Sequence, residues 1–262
     1  MEKLTFNSMQ AIYLLDTEYR KLKGENYVSE YSCRWHLTAR YSSTTESYEF
    51  TLYRSDVKIN GEKVEKLMDR IVLEIGSSLY PVRFEVSAQM QILRIINYDE
   101  IVDRWRVTTE KCRNEHPGDV IERYIRHSSE GISDERALLL SLYKDSFINL
   151  YFRNLYMLPE EDERERVEWQ NFPLREMKST YYCTIEKPEE NRRRLNGPLM
   201  VILPGQKGSA DIDFIYGPCG ELEDITGEFS ATKDGNRYIK RVHIRLQDKE
   251  KNRYRHELEI LR

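Results

Sequence analysis

Cysteine is sparse in this chain of 262 residues, and its four copies, Cys33, Cys112, Cys183 and Cys219, stand far apart with no C-x-x-C pair. That spacing excludes a zinc-ribbon framework and the dense disulfide lattice of a small secreted fold. Cys33, Cys112 and Cys183 each fall on an apolar face, where a free thiol packs as a small hydrophobe. Long apolar runs are missing too: nothing approaches the roughly 18 residues that a membrane-spanning helix needs. Charges interrupt the N-terminal MEKLTFNSMQAIYLLDTEYRKL, which lacks the apolar stretch of a signal peptide. A soluble, cytoplasmic protein is the expectation. Absent as well are G-x-G-x-x-G, a Walker loop, H-E-x-x-H and G-x-S-x-G, so the chemistries behind those patterns have no sequence support. No catalytic residue, metal ligand or cofactor is assigned. Net charge is −4 and the pI about 5.9, which gives no reason to expect a nucleic-acid partner.

What the chain has in quantity is charge, at 33%, and tyrosine, at 18 residues. A tyrosine ring is apolar with a polar tip, so the surplus suits a wet core boundary or a surface for binding other proteins.

Periodicity supplies the elements. Ile12, Leu15, Tyr19 and Leu22 are spaced as on a helix over residues 8 to 23, with Ser8 as cap and Gly24 as stop. From Tyr31 to Tyr41 the odd positions are apolar or aromatic and the even ones polar, which predicts a strand with one buried face. YEFTLY repeats the pattern with Tyr48, Phe50 and Leu52. Pairing core face to core face sets Tyr41 opposite Tyr48, Ala39 opposite Phe50, Leu37 opposite Leu52 and, on the other face, Arg40 beside Glu49. Asn60-Gly61 has the chemistry of a hairpin turn, but the amphipathic run Val64, Leu67, Met68, Ile71, Val72, Ile75 places Asn60 near a helix start, with Gly76 as a left-handed stop.

RFEVSAQMQILRIINYDEIVDRW changes from period two to helical spacing. Val82, Phe84, Val86, Ala88 and Met90 alternate with polar residues and predict a half-buried strand, a turn or bulge falls near Ser87 to Gln91, and ILRII reads as a more deeply buried strand. Asn97 and Glu100 then form a capping box, behind which Ile101, Trp105, Thr108 and Cys112 make one stripe. Pro117 opens the next helix, with Val120, Ile121, Tyr124 and Ile125 on its apolar face. Ser133 caps a third, apolar nearly all round and running to about Tyr156. Tyr143, Phe147 and Tyr151 recur on it every fourth residue, a spacing that suits core packing better than a ligand groove.

PEEDERERVE, residues 159 to 168, is the candidate linker between an N-terminal α+β half, 1 to 158, and a C-terminal β-rich half, 169 to 262, packed either as separate domains or as one composite domain. Strands are expected in STYYCTI, PLMVILPG, ADIDFIYG, GEFSA, YIKRVHIRLQ and RYRHELEIL. The last two predict a hairpin in which Val242, Ile244 and Leu246 face Tyr254, Leu258 and Ile260, with Arg241 beside Glu259 and His243 beside Glu257. The fold class is α+β, with curved antiparallel sheet in both halves and a helical layer around 98 to 157 packed against it.

Candidate sites are few. Asp211 and Asp213 share a strand face and could share a cation, but without a third ligand a solvated face explains them better. Cys219 sits in a glycine-bracketed turn; it needs a base to become a nucleophile, and turn chemistry alone accounts for Gly217, Pro218 and Gly220. The five histidines show no metal-ligand spacing, and His256 alone lands on an apolar face. Basic residues outnumber acidic ones toward the C-terminus, where cross-strand pairing neutralises them. Arg192, Arg193 and Arg194 lie in KPEENRRRLNGP, read as a mobile, solvated loop that could also engage an acidic partner. The functional expectation is a non-catalytic protein-binding factor, adaptor or chaperone-like. A carrier enclosing a lipid or other hydrophobic ligand is the alternative, and an enzyme with a dispersed active site is the third.

Overall fold

The computed structural model describes residues 4, 6–22, 27–153, 164–170, 172, 177–200 and 207–252. The N-terminal helix expected over residues 8 to 23 is a strand, β1 (Ser8–Leu22). Helical spacing of Ile12, Leu15 and Tyr19 competes there with alternation of Met9, Ala11, Tyr13 and Leu15, all of them buried. Neighbouring strands decide the contest: β1 pairs on one edge with β2 (Tyr27–Ser42) and on the other with β12 (Asn236–Asn252). Ladder bonds on both edges outweigh a weak helical preference.

The hairpin of β2 with β3 (Ser47–Ile59) has the predicted register, Tyr41 on Tyr48, Ala39 on Phe50, Leu37 on Leu52 and Arg40 on Glu49. Asn60-Gly61 does make a turn after all. Both residues have positive φ, 52° and 79°, and they join β3 to the short β4 (Glu62–Lys63) ahead of the helix. Helix α1 (Leu67–Ser77) runs through Gly76 and ends in a right-handed cap at Ser78, so Gly76 is no left-handed stop. Its buried stripe is narrower than the sequence pattern, Ile71 and Ile75, with Leu67, Met68 and Val72 exposed.

β5 (Val82–Val86) and β6 (Ile92–Ile95) follow, joined by the expected turn, in which Ser87 N donates to Gln91 O. β6 is the less buried of the two, not the more, since it is an outer strand of the sheet and Leu93 is exposed. Asn97 occupies the cap position of α2 (Tyr98–Glu115) but makes no capping bond. Its Oδ1 accepts from Arg83 N at 2.8 Å and its Nδ2 donates to Pro81 O at 3.0 Å, so it pins the helix start to β5. The buried stripe of α2 is Ile101, Trp105, Thr109 and Cys112, with Thr109 in the place expected of Thr108. In α3 (Asp119–Ser129) Gly118 is the cap, leaving Pro117 outside.

Asp134, rather than Ser133, caps α4 (Glu135–Leu142), accepting from Ala137 N at 2.8 Å. The long apolar helix is two helices: Asp145 restarts the chain as α5 (Ser146–Tyr151) by accepting from Phe147 N at 2.8 Å. Phe147 and Tyr151 fill the core, stacked at 5.0 Å, with Trp35 stacked on Phe147 at 4.8 Å. The Tyr13 hydroxyl donates to Leu222 O at 2.8 Å, satisfying the polar tip inside. Cys33, Cys112 and Cys183 are buried as packing residues.

Half of the candidate linker is strand. β7 (Arg164–Gln170) precedes β8 (Lys178–Glu189), β9 (Arg192–Pro198), β10 (Ser209–Tyr216) and β11 (Leu222–Lys233), while 159 to 163 lie outside the described residues. So do 201 to 205 of PLMVILPG and the expected strand RYRHELEIL with His256. The hairpin predicted for Val242, Ile244 and Leu246 is replaced, because β1 and β11 occupy the two edges of β12. The sheet is antiparallel, curved and twelve-stranded, in the order β6-β5-β3-β2-β1-β12-β11-β10-β9-β8-β7, with β4 on β3 and the helices packed on one side. Strands from both ends of the chain, β1 and β12, meet at its centre. No helix among the described residues is long and apolar enough to cross a membrane.

Candidate functional site

Period two gives each central strand a second face, and on that face the charges collect. In β9, Arg193 and Leu195 turn inward while Arg192, Arg194 and Asn196 turn out; in β10, Ala210, Ile212 and Phe214 turn inward while Asp211 and Asp213 turn out. The outward groups pair diagonally. Arg194 Nε and Nη2 donate to the Asp211 carboxylate at 2.9 and 2.6 Å, and Arg192 Nε donates to Asp213 at 2.9 Å with Nη2 closing the fork. These are bidentate, charge-assisted contacts.

The ladder continues across β11, β12 and β1. Arg241 donates through Nε to Glu228 at 2.8 Å and through Nη1 to Glu18 at 3.1 Å. Arg20 donates to Glu18, Arg245 reaches Asp16 at 3.0 Å, and His243 meets Asp224 at 2.9 Å. The donated bond from Arg20, joined by Arg241, holds the Glu18 carboxyl below the ordinary carboxylate range; the Arg194 fork does the same for Asp211.

Most of these side chains, Arg20, Asp224 and Arg245 excepted, line an open trough of about 1150 Å³. Its walls come from β9 and β10 on one side and from Glu30, Ser32 and Lys58 of β2 and β3 on the other, so seven adjacent strands bend around it. At about 4.8 Å per strand the lining spans roughly 29 Å of arc. Six carboxylates, Asp16, Glu18, Glu30, Asp211, Asp213 and Glu228, meet four permanent cations, Lys58, Arg192, Arg194 and Arg241. Such a surface offers many polar contacts of both signs.

The structure thus joins two groups that the sequence kept apart, Arg192 and Arg194 with Asp211 and Asp213. Residues 192 to 194 are strand rather than loop, held by β8 and β10. Arg193 is buried, and its Nη1 donates to the carbonyls of Glu189, Glu190 and Arg192. Cys219 stands in the β10–β11 turn, its amide donating to Glu221 at 3.0 Å. His36 stacks on Tyr53 at 4.3 Å and His243 pairs with Asp224 at 2.9 Å. Among the described residues no three His, Cys, Asp or Glu side chains are grouped to hold a metal ion. Sequence reasoning missed Asp16 and Glu18, assigned to a helix, and Glu228, whose Arg241 partner was given to Glu259. Alternation of Asp16, Glu18 and Arg20 against buried neighbours was the available signal.

No family model matches the chain, and neither does any curated protein. Among solved structures it is similar to one of lipovitellin and its lipid–protein interactions, with a TM-score of 0.48 and 11% identity over 95% of this chain and 26% of that one. The chain spans about a quarter of that structure's length.

Proposed function

We propose that the chain is a non-catalytic, cytoplasmic protein-binding factor, adaptor or chaperone-like, whose charged trough receives a segment of another protein. The single observation that supports the reading is the array of partly exposed Arg–carboxylate pairs spread over five adjacent strands, β9, β10, β11, β12 and β1. Exposed ion pairs contribute little to stability, about 0–1 kcal/mol each. Charge complementarity instead favours partner choice and association rate. Arg192 and Arg194 would exchange a sheet carboxylate for one on the partner; Arg193 would hold the β8–β9 turn in place behind them.

The test compares tagged wild-type chain with the double swap Arg194→Glu, Asp211→Arg, which keeps the local ion pair and reverses the field. Wild type is expected to recover a discrete partner from native extract, released by high salt, and the swap to lose it. Equal recovery by both, or none above background by wild type, removes the reading. The carrier alternative is read in the same preparation, since native mass spectrometry would show added mass that disappears on denaturation.

A further inference from the structure

On the opposite face of the sheet, β3 places one arginine among core residues. Arg54 follows Leu52 on the apolar side, its guanidinium 5.9 Å from the Trp35 ring and 5.4 Å from the Tyr80 ring. Its Nη1 donates to the Tyr31 hydroxyl at 3.0 Å and lies 3.6 Å from Asp145 Oδ2, beyond hydrogen-bond length. The Asp145 carboxylate is itself engaged in capping α5. Among the described residues the guanidinium makes no other hydrogen bond, although it carries a fork of donors and a mostly buried cation ordinarily has them satisfied.

The remaining edge faces a space. Nη2 points toward α1, 3.8 Å from where a Cβ on Gly76 would stand. There a pocket of about 380 Å³ opens between α1 and β3, lined by Tyr53, Val57, Leu73, Tyr80 and Pro81. Ser77 completes the wall, but its hydroxyl is turned to Glu74 O at 2.7 Å. Apolar walls with one convergent polar group are the usual make-up of a small-molecule site, and this volume is near the lower end of their range, roughly 300–1,000 Å³. A guanidinium edge matches a carboxylate bidentately.

We propose that this pocket binds a small organic monocarboxylate with an aromatic or aliphatic body, the acid on the open Arg54 edge and the body between Leu73, Pro81 and Tyr80. The site is separate from the trough and does not depend on its role.

The experiment uses the full chain with 4-phenylbutyrate and its neutral amide as probes, followed by ligand-observed NMR titration. The acid should bind saturably and at least about tenfold more tightly than the amide, a difference of roughly 1.4 kcal/mol. Arg54→Gln should lose that preference. Because Arg54 also contacts the core and its removal could unfold the chain, Leu73→Trp is the second variant: it fills the pocket from the α1 side, leaves Arg54 in place and should abolish binding of both probes. Equal affinity for acid and amide overturns the proposal, as does unchanged binding by Leu73→Trp, or no binding up to about 10 mM.

Discussion

The two faces of the central sheet use the same ionisable residues in opposite settings. On the trough side, arginines and carboxylates pair in water's reach, as in Arg194–Asp211 and Arg241–Glu18. On the core side Arg54, Asp145 and Lys240 lie among aromatic rings. Lys240 has Phe229 as its cross-strand neighbour and holds its ammonium 4.4 Å from the centre of the Trp169 ring. Burial pushes the Asp145 carboxyl up against the pull of Arg54, and it brings the Lys240 amine down to about 8, with Asp145 pulling the other way. Identical chemistry therefore adds little to stability on one face and dominates it locally on the other, because desolvation sets the scale.

The sharpest break in that contrast is expected at Asp145. Asp145→Ala removes the α5 cap and strands the Arg54 charge, and should cost about 3–5 kcal/mol of unfolding free energy in urea. Lys240→Met is expected to act in the other direction. The folded chain releases this proton near pH 8 and an unfolded lysine near 10.4, so between those values the unfolded state binds more protons and stability rises with pH. Below pH 8 the cost of the buried charge is fully present. The Met variant should therefore be the more stable at pH 7 by on the order of 1–2 kcal/mol, with the gap closing through pH 8 to 10.4.

The trough pairs should barely register in the same assay. Arg194→Ala is expected to change unfolding free energy by about 0.5 kcal/mol and to abolish partner recovery. The smallest effect is on the acid limb. Glu18 and Asp211 have depressed folded values, so their contribution is present above about pH 4 and lost as pH falls through those values; Glu18→Gln should flatten that limb slightly. A trough variant as damaging as Asp145→Ala would erase the distinction between the faces.

How much of this was legible depended on distance along the chain. The turn end of the β2–β3 hairpin, from Leu37 to Leu52, is readable, since its apolar faces and the Arg40–Glu49 pair agree on one register; the bulge between Ser32 and Arg34 is not. Nor is β1, because Ile12, Leu15, Tyr19 and Leu22 satisfy a helix equally well until β2 and β12 close on both edges. The helix caps shifted by one residue where two candidates were adjacent, as with Ser133 and Asp134. The trough was the least visible feature: Arg241 and Glu18 are 223 positions apart, and nothing local announces their meeting. Arg192 to Arg194 have the composition of a solvated loop, and their shared charge hides the alternation of a strand. Asp211 and Asp213 on the next strand supply the matching pattern, and only together do the two strands declare a surface.

Carboxyl footprinting of the chain with and without its recovered partner, read by mass spectrometry, tests the central assignment most directly. Glu18, Asp211, Asp213 and Glu228 should become protected together while Asp69 and Asp103 on α1 and α2 keep their labelling. Unchanged labelling of the four trough carboxylates in the complex would contradict the assignment.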